Sequence, residues 1–441
     1  MSEFNINRYL EKISEVDQTP RFEGRVRNIR GILVEGSGHD GSVGDLFDIE
    51  TVSGRILKAE VVGIKEGKLL LMPLGETRGI SENSILRKSH GGNEIKVGDY
   101  LLGRVIGPMG NPIDGKSLIP SGNSFPVWAS PPLPLARKLI TEPISLGIKV
   151  IDSMLTIGRG QRIGIFAGAG VGKSTLLGSI VRNADADVFV IGLIGERGRE
   201  VGEFLERHLG PEGMEKTVIV VSSSDDAPPL RLRGAAVATA IAEGFRAQGK
   251  NVLLMMDSLT RFAMAGREMG LAAGEPPTTK GYTPSVFAAL PRLLERPGVL
   301  HSGGSITAIY TVLVEGDDMS DPIADASLAI LDGHILLSRQ LAQQGQYPPV
   351  DVGRSVSRLM NDIATPKHLK AARQIRHLLS IYHKSADLVS IGAYSPGSDP
   401  MLDLALKARS SIQEYFRQEV FEKWSFEDTI QKLEQLEGQF S

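Results

Sequence analysis

The sequence predicts an α/β chain in three parts: an N-terminal β-barrel, a central domain built on a parallel sheet, and a C-terminal helical domain. Three observations carry this reading. Short β-rich runs crowd residues 18–92, apolar runs of strand length alternate with helical stretches over 93–364, and helical periodicity takes over from 365 to 441. The 441 residues suffice for about three domains, each with its own core. Charge is nearly balanced, with 49 Lys+Arg against 52 Asp+Glu, which disfavours a protein whose main work is gripping a nucleic-acid backbone. There is no cysteine, so neither a disulfide nor a thiolate metal site can form. No run of about 18 apolar residues occurs, so no segment is expected to span a membrane. The polar N-terminus MSEFNINRYLEK speaks against a secretory signal. This is the composition expected of a soluble cytoplasmic protein.

Taken in order, residues 1–17 place Phe4, Tyr9, Leu10, Ile13 and Val16 at helical spacing among charged residues. That is a short amphipathic helix, which could pack on its own barrel or dock a partner. Within 18–92, the runs Arg25–Val34, Leu46–Thr51, Ile56–Ile64 and Leu69–Pro73 are separated by glycine-bearing turns. Strands at such short spacing suggest a small closed barrel. The segment has Phe22 and Phe47 but no Tyr or Trp, so it lacks the aromatics that a nucleic-acid-binding barrel interleaves with its basic residues. A structural collar is its expected role. Asp99–Asp114 reads as a strand followed by tight turns, and a Pro-rich linker runs from Ser130 to Pro143.

The central domain is organised around residues 162–175, Arg-Ile-Gly-Ile-Phe-Ala-Gly-Ala-Gly-Val-Gly-Lys-Ser-Thr. A short apolar run breaks into glycines, and Lys-Ser then opens a helical stretch, the context of a phosphate-binding loop. Gly168, Ala169, Gly170, Val171 and Gly172 would turn backbone N–H groups around an anion, with Thr175 in the first helical turn. Lys173 could reach the β- and γ-phosphates of a nucleotide, and the Ser174 hydroxyl could ligate Mg²⁺. One departure stands out. The pattern asks for glycine where Ala167 sits, which is tolerable if that position keeps a negative φ.

Further apolar runs, Val188–Ile194, Val218–Val221, Val252–Met256, Ile306–Leu313 and Ile335–Leu337, read as strands buried on both faces. Ligands of such sheets bind beyond the strands' carboxyl ends. Glu196, just after Val188–Ile194, could deprotonate an attacking water or simply favour a helix N-terminus. Asp257, just after Val252–Met256, is placed to hold Mg²⁺, and Arg261 follows in the same turn. Asp317, Asp318 and Asp321 form an acidic loop that reads more readily as solvated or as a subunit contact than as a metal site. Tyr347 could stack on a base, and Arg358 could neutralise transition-state charge. From Thr365-Pro366, an N-cap and first helical position, Leu369, Ala372, Ile375, Leu379 and Tyr382 make an apolar stripe. A second helix is expected from Asp399-Pro400 to about Phe421, with Leu402, Leu406, Ile412 and Phe416 facing inward. Ser425 and Asp428 form a capping box before the last helix.

Several long runs agree on one family. Gly-Leu-Ile-Gly-Glu-Arg-Gly-Arg-Glu-Val (192–201), Met-Asp-Ser-Leu-Thr-Arg-Phe-Ala (256–263), Gly-Tyr-Thr-Pro-Ser-Val-Phe-Ala-Ala-Leu-Pro-Arg-Leu-Leu-Glu-Arg (281–296) and Asp-Asp-Met-Ser-Asp-Pro-Ile-Ala-Asp (317–325) resemble the type III protein-export ATPases, relatives of the rotary ATP synthase catalytic subunit. The phosphate loop, Phe-Ala-Gly-Ala-Gly-Val-Gly-Lys-Ser (166–174), looks more like the flagellar branch than the injectisome branch. The resemblance implies a RecA-like, P-loop ATPase domain that uses ATP and Mg²⁺. It implies that Lys173 and Ser174 hold phosphates and metal, that Glu196 is the general base, and that Arg197 supports the γ-phosphate. Asp257 would be the second Mg²⁺ anchor, Tyr347 the adenine-stacking aromatic, and Arg358 the arginine finger entering a neighbour's site. It further implies a homohexamer, with an export regulator or stator protein at the N-terminal helix and a central stalk protein. Export substrates, their chaperones and an export gate would be the other partners, at the cytoplasmic face of the inner membrane and without nucleic acid.

Overall fold

The computed structural model describes residues 23–37, 40–89, 91–117, 119–314 and 318–440. The helix expected over 1–17 and the acidic-loop residue Asp317 lie outside them. Two compact units form, residues 1–92 and 93–441.

In the first unit six strands close into a barrel: β1 (Glu23–Arg30), β2 (Leu33–Ser37), β3 (Leu46–Glu50), β4 (Ile56–Lys65), β5 (Lys68–Pro73) and β6 (Ile85–Lys88), joined in the order β1-β2-β5-β4-β3-β6. Alternation drives closure. Val34, Phe47, Ile49, Ala59, Val61, Leu69, Leu71 and Leu86 all point into one small core. The run expected as one strand over Arg25–Val34 is a hairpin, because Gly31 takes φ +61° and turns the chain between β1 and β2. Strand β6, which carries only Leu86 inward, was too short to announce itself in the sequence.

In the second unit, β7 (Glu94–Val97) pairs with β9 (Asn123–Pro126), and β10 (Pro143–Ile144) with β11 (Ile157–Gly158). The remaining strands build one nine-stranded sheet: β8 (Arg104–Ile106), β12 (Arg162–Ala167), β13 (Val188–Glu196), β14 (Thr217–Ser223), β15 (Asn251–Asp257), β16 (Gly298–Val299), β17 (Ser305–Leu313), β18 (Gly333–Leu337) and β19 (Val356–Ser357). The order is β19-β18-β12-β17-β15-β13-β14-β8, with β16 hanging on β17. Strands β18 through β8 run parallel, and the edge strand β19 is antiparallel. The expected strand within Asp99–Asp114 is thus the far edge of this sheet. β12, β13 and β17 are buried along nearly their whole length, which is why their sequences read as continuous apolar runs. The helix Pro228–Ala247 lies against β13, β14 and β15, and its alanines let it approach closely.

The C-terminal helices Pro366–Ser390, Pro400–Phe416 and Phe426–Gly438 share a core with the sheet domain, including Ile148, Ile375, Ala405, Ile412 and Leu433. Thr365 and Ser425 cap the first and third through their side chains, as their sequence positions predicted. The second helix stops at Phe416, short of Phe421. There the chain is pulled away: the Gln418 N–H donates to the Tyr347 carbonyl (2.9 Å), and the Gln418 side chain accepts from Lys149 N (2.8 Å) and donates to Gly147 O (2.8 Å). Ala405 rather than Leu406 fills the inward position, leaving Leu406 half-buried. No helix among the described residues is long and apolar enough to cross a membrane.

One ion pair ties the sheet's helices to the chain just after β9. Arg296, 1% exposed, meets Glu243 with both Nε (3.0 Å) and a terminal nitrogen (2.5 Å), and also donates to Val127 O (2.8 Å). Arg296→Ala leaves the buried Glu243 carboxylate with only Arg246, 4.0 Å away, and should cost about 3–5 kcal/mol. The combined Arg296→Met, Glu243→Leu variant should recover most of that loss in urea unfolding. Equal destabilisation of the two variants would show that packing, not the uncompensated charge, sets the cost.

Candidate active site

Ala167, the departure from the loop pattern, is the last residue of β12, fully buried and in register with Leu313 and Leu337. An extended strand position accepts alanine, so the missing glycine is harmless. The turn itself comes later. Gly172 has φ +90° immediately before the helix Lys173–Asn183, a backbone state that side-chain-bearing residues resist. No side chain caps this helix, so its first N–H groups are left for an anion.

The sheet order brings the acids to the lysine. β15 lies beside β13, pairing Asp257 with Leu193, and β13 bulges between Ile194 and Glu196. Lys173 Nζ consequently sits 2.5 Å from Asp257 Oδ1 and 3.9 Å from Glu196 Oε1. Asp257 is fixed from a third strand, since the Thr311 hydroxyl on β17 donates to Oδ1 at 2.6 Å. Glu196 is held well above the usual carboxylate range, to about 8. Burial contributes most, then a hydrogen bond with Glu200, then the charge of Asp257, while Lys173 works the other way. Glu200 shifts down, chiefly through that same hydrogen bond. Glu196 is therefore the member of the pair that keeps the proton.

These groups line a cleft of about 470 Å³ with Gly168, Ser174, Arg197 and Arg261. Arg197 is mostly exposed, 3.9 Å from Glu200. A second cleft of about 240 Å³ adjoins it at Gly172 and Thr175 and is walled by Tyr347, Pro348, Gln418 and Val420. Tyr347 is half exposed there. The lysine, the uncapped helix and the apolar second cleft fit a nucleotide, phosphates in the first compartment and base in the second. Arg358 is not brought to this site. It follows β19 at the N-terminal end of β18, and the loop lies beyond the other end of the parallel neighbour β12, about 17 Å away at roughly 3.3 Å per residue. Asp318 accepts from Ser320, and Asp321 caps the helix Pro322–Ile330 while taking Lys280 Nζ at 3.1 Å. Both acids have structural partners, as a solvated loop would.

Sequence reasoning gave no role to Thr311, Glu200 or Arg261. Arg261 lines the phosphate cleft, and its buried Nε has no hydrogen-bond partner. Its place in the turn after Asp257 was a usable signal. Thr311 had none, because only the pairing of β15 with β17 puts it beside Asp257.

The fold and site define a nucleotide-binding α/β domain of the rotary-synthase kind, and residues 147–357 match the ATP synthase alpha/beta family, nucleotide-binding domain. Residues 364–435 match the T3SS EscN ATPase C-terminal domain. The chain is 51% identical to the flagellum-specific ATP synthase of Bacillus subtilis (strain 168), over 97% of this chain and 98% of that one. It is 45% identical to the type 3 secretion system ATPase of Sinorhizobium fredii, over 94% and 92%. The assembled ATPase EscN in complex with its central stalk EscO, from the enteropathogenic E. coli type III secretion system, superposes with a TM-score of 0.86. That match has 45% identity and covers 94% of this chain and all of that one. The chain belongs to the flagellum-specific and type III secretion ATPases of the ATP synthase alpha/beta family. It is an ATPase.

The protonated Glu196 has a measurable signature in the ligand-free protein. A carboxyl raised in the folded state favours folding most at low pH, and this contribution is lost as pH rises from about 4.5 towards 8. Glu196→Gln removes the titration, so its melting temperature should gain on wild type by a few degrees across pH 5–8. Parallel melting curves for the two proteins would place the proton elsewhere.

Proposed function

We propose that this ATPase hydrolyses Mg²⁺-ATP in sites shared between copies of a homohexameric ring, and that it serves flagellar type III protein export. The observation that carries the shared site is the split of its parts. Lys173, Glu196 and Asp257 meet at the carboxyl ends of the strands, whereas Arg358 is exposed at the opposite end of the same sheet. Arg358 cannot serve its own chain's loop, so it serves a neighbour's.

In this reading the loop 168–175 holds the phosphates, and Tyr347 packs against the base. Lys173 lies against the β- and γ-phosphates, and Arg197 and Arg261 receive charge at the outer end of the cleft. In its ionised form Glu196 orients the attacking water and takes its proton, so the proton it carries in the ligand-free cleft has to leave first. Ser174 and Asp257 supply oxygen ligands suited to Mg²⁺, and no group of three or more His, Cys, Asp or Glu gathers into a protein-only metal cage among the described residues. When bound, the ion would neutralise charge on the phosphates and on Asp257.

The solved assembly of EscN with its stalk EscO supports a ring with a central stalk protein here. Residues 1–17 dock an export regulator, and the ring works at the cytoplasmic face of the inner membrane. There it releases or unfolds export substrates delivered with chaperones to an export gate, without nucleic acid.

Glu196→Gln should bind ATP within about threefold of wild type yet turn over at least about a hundredfold more slowly. Near wild-type turnover would remove Glu196 from the chemistry. In the source organism, filament loss on deletion should be restored by the wild-type gene and not by the Glu196→Gln gene. Normal filaments in the deletion strain would instead point to an injectisome.

A further inference from the structure

Arg358 must hold its guanidinium off the edge of the sheet, yet its strand is a weak root. β19 pairs with β18 over only two residues, Gly333 with Ser357 and His334 with Val356. What fixes Arg358 lies one residue before β18. The Arg358 N–H donates to the Asp332 carbonyl at 3.0 Å, and its guanidinium donates to Leu328 O at 3.2 Å. The same Asp332 carbonyl accepts from Gln161 Nε2 at 3.0 Å, and Gln161 Nε2 also reaches Ser357 Oγ at 3.2 Å.

Asp332 is itself clamped to the first residue of β12. Its Oδ2 accepts from Arg162 Nε (3.0 Å) and from the Arg162 backbone N–H (3.1 Å), and its Oδ1 accepts from a terminal nitrogen of Arg162 (3.0 Å). The Asp332 N–H returns a bond to Arg162 O at 2.8 Å. The other terminal nitrogen of Arg162 is ion-paired with Glu295. Arg162 is only 15% exposed and Asp332 25%, so this is a planar two-point ion pair shielded from water, the kind that fixes geometry as well as charge.

We propose that the Asp332–Arg162 pair is a positioning device for Arg358, acting on the neighbouring copy's ATP site rather than on its own. The proposal rests on the reading that Arg358 serves a neighbour. The pair anchors the peptide that receives the Arg358 N–H, so loosening it lets the guanidinium wander. A displacement of about 1 Å at such a group can cost about a hundredfold in rate. The competing effect runs through β12, whose far end is the chain's own phosphate loop, and would appear in the same subunit.

Mixed rings separate the two. Asp332→Asn keeps the side-chain volume but sets an amide against the Arg162 donors. Its homo-oligomer should lose about tenfold in kcat with KM for ATP changed by less than about twofold, since the finger acts on the transition state. When it is titrated with Glu196→Gln subunits, activity should recover as it does for Arg358→Ala. The Asp332→Asn loop then faces an intact finger. Arg162→Lys, which keeps the charge and loses the fork, should behave likewise with a smaller deficit, and it carries the test if Asp332→Asn fails to fold. Recovery for Arg358→Ala without recovery for Asp332→Asn or Arg162→Lys would overturn the positioning role while sparing the shared site. Unchanged kcat in both variants would overturn it too. No recovery even for Arg358→Ala would sink the shared-site reading, and this proposal with it.

Discussion

The site depends on a charge constraint: one lysine faces a crowd of carboxylates. Lys173 holds Asp257 closely and Glu196 more loosely, with Glu200 bonded behind Glu196. A buried cleft does not tolerate several bare anions around one cation. The protein meets the constraint by leaving the proton on Glu196. A polyphosphate entering this cleft adds negative charge, so it has to arrive with positive charge of its own. Arg261, buried with an unpartnered Nε, is the resident group most in want of such an anion.

Everything else in the sheet domain serves that geometry. β12 delivers the loop, β13 and β15 deliver the two principal acids, and β17 supplies the hydroxyl that orients Asp257. All four strands run parallel, so their carboxyl ends gather at one edge. The apolar faces that force this arrangement also hide it from solvent.

Much of this was legible because it is local. The glycines, Lys173, Ser174, Glu196 and Asp257 each sit at the end of an apolar run whose burial could be read directly. The three capping side chains at Thr365, Asp399 and Ser425 were equally plain, since each needs only its own next turn. The parts that escaped are those set by pairing between distant strands. Thr311 meets Asp257 across a ladder. Gln418 ends a helix early by bonding to residues some 270 positions away. The first barrel run hid a hairpin because nothing but Gly31 interrupts its β-rich composition. For Arg358, sequence could suggest a role but not that the chain carries it to the end of the sheet opposite its own loop.

The strap after Phe416 links two things usually described apart. Gln418 bonds to the Tyr347 carbonyl and to both sides of the Gly147–Lys149 segment, and Val420 receives Arg182 and Ser179 from the phosphate-loop helix. The wall of the base cleft and the link between the C-terminal helices are therefore one piece of chain. Thermodynamic reciprocity follows for any molecule that grips those helices better in one strap position than another. It must change nucleotide affinity by the same factor by which nucleotide changes its own. A nucleotide that favours one strap position would in that way be felt at the helical end.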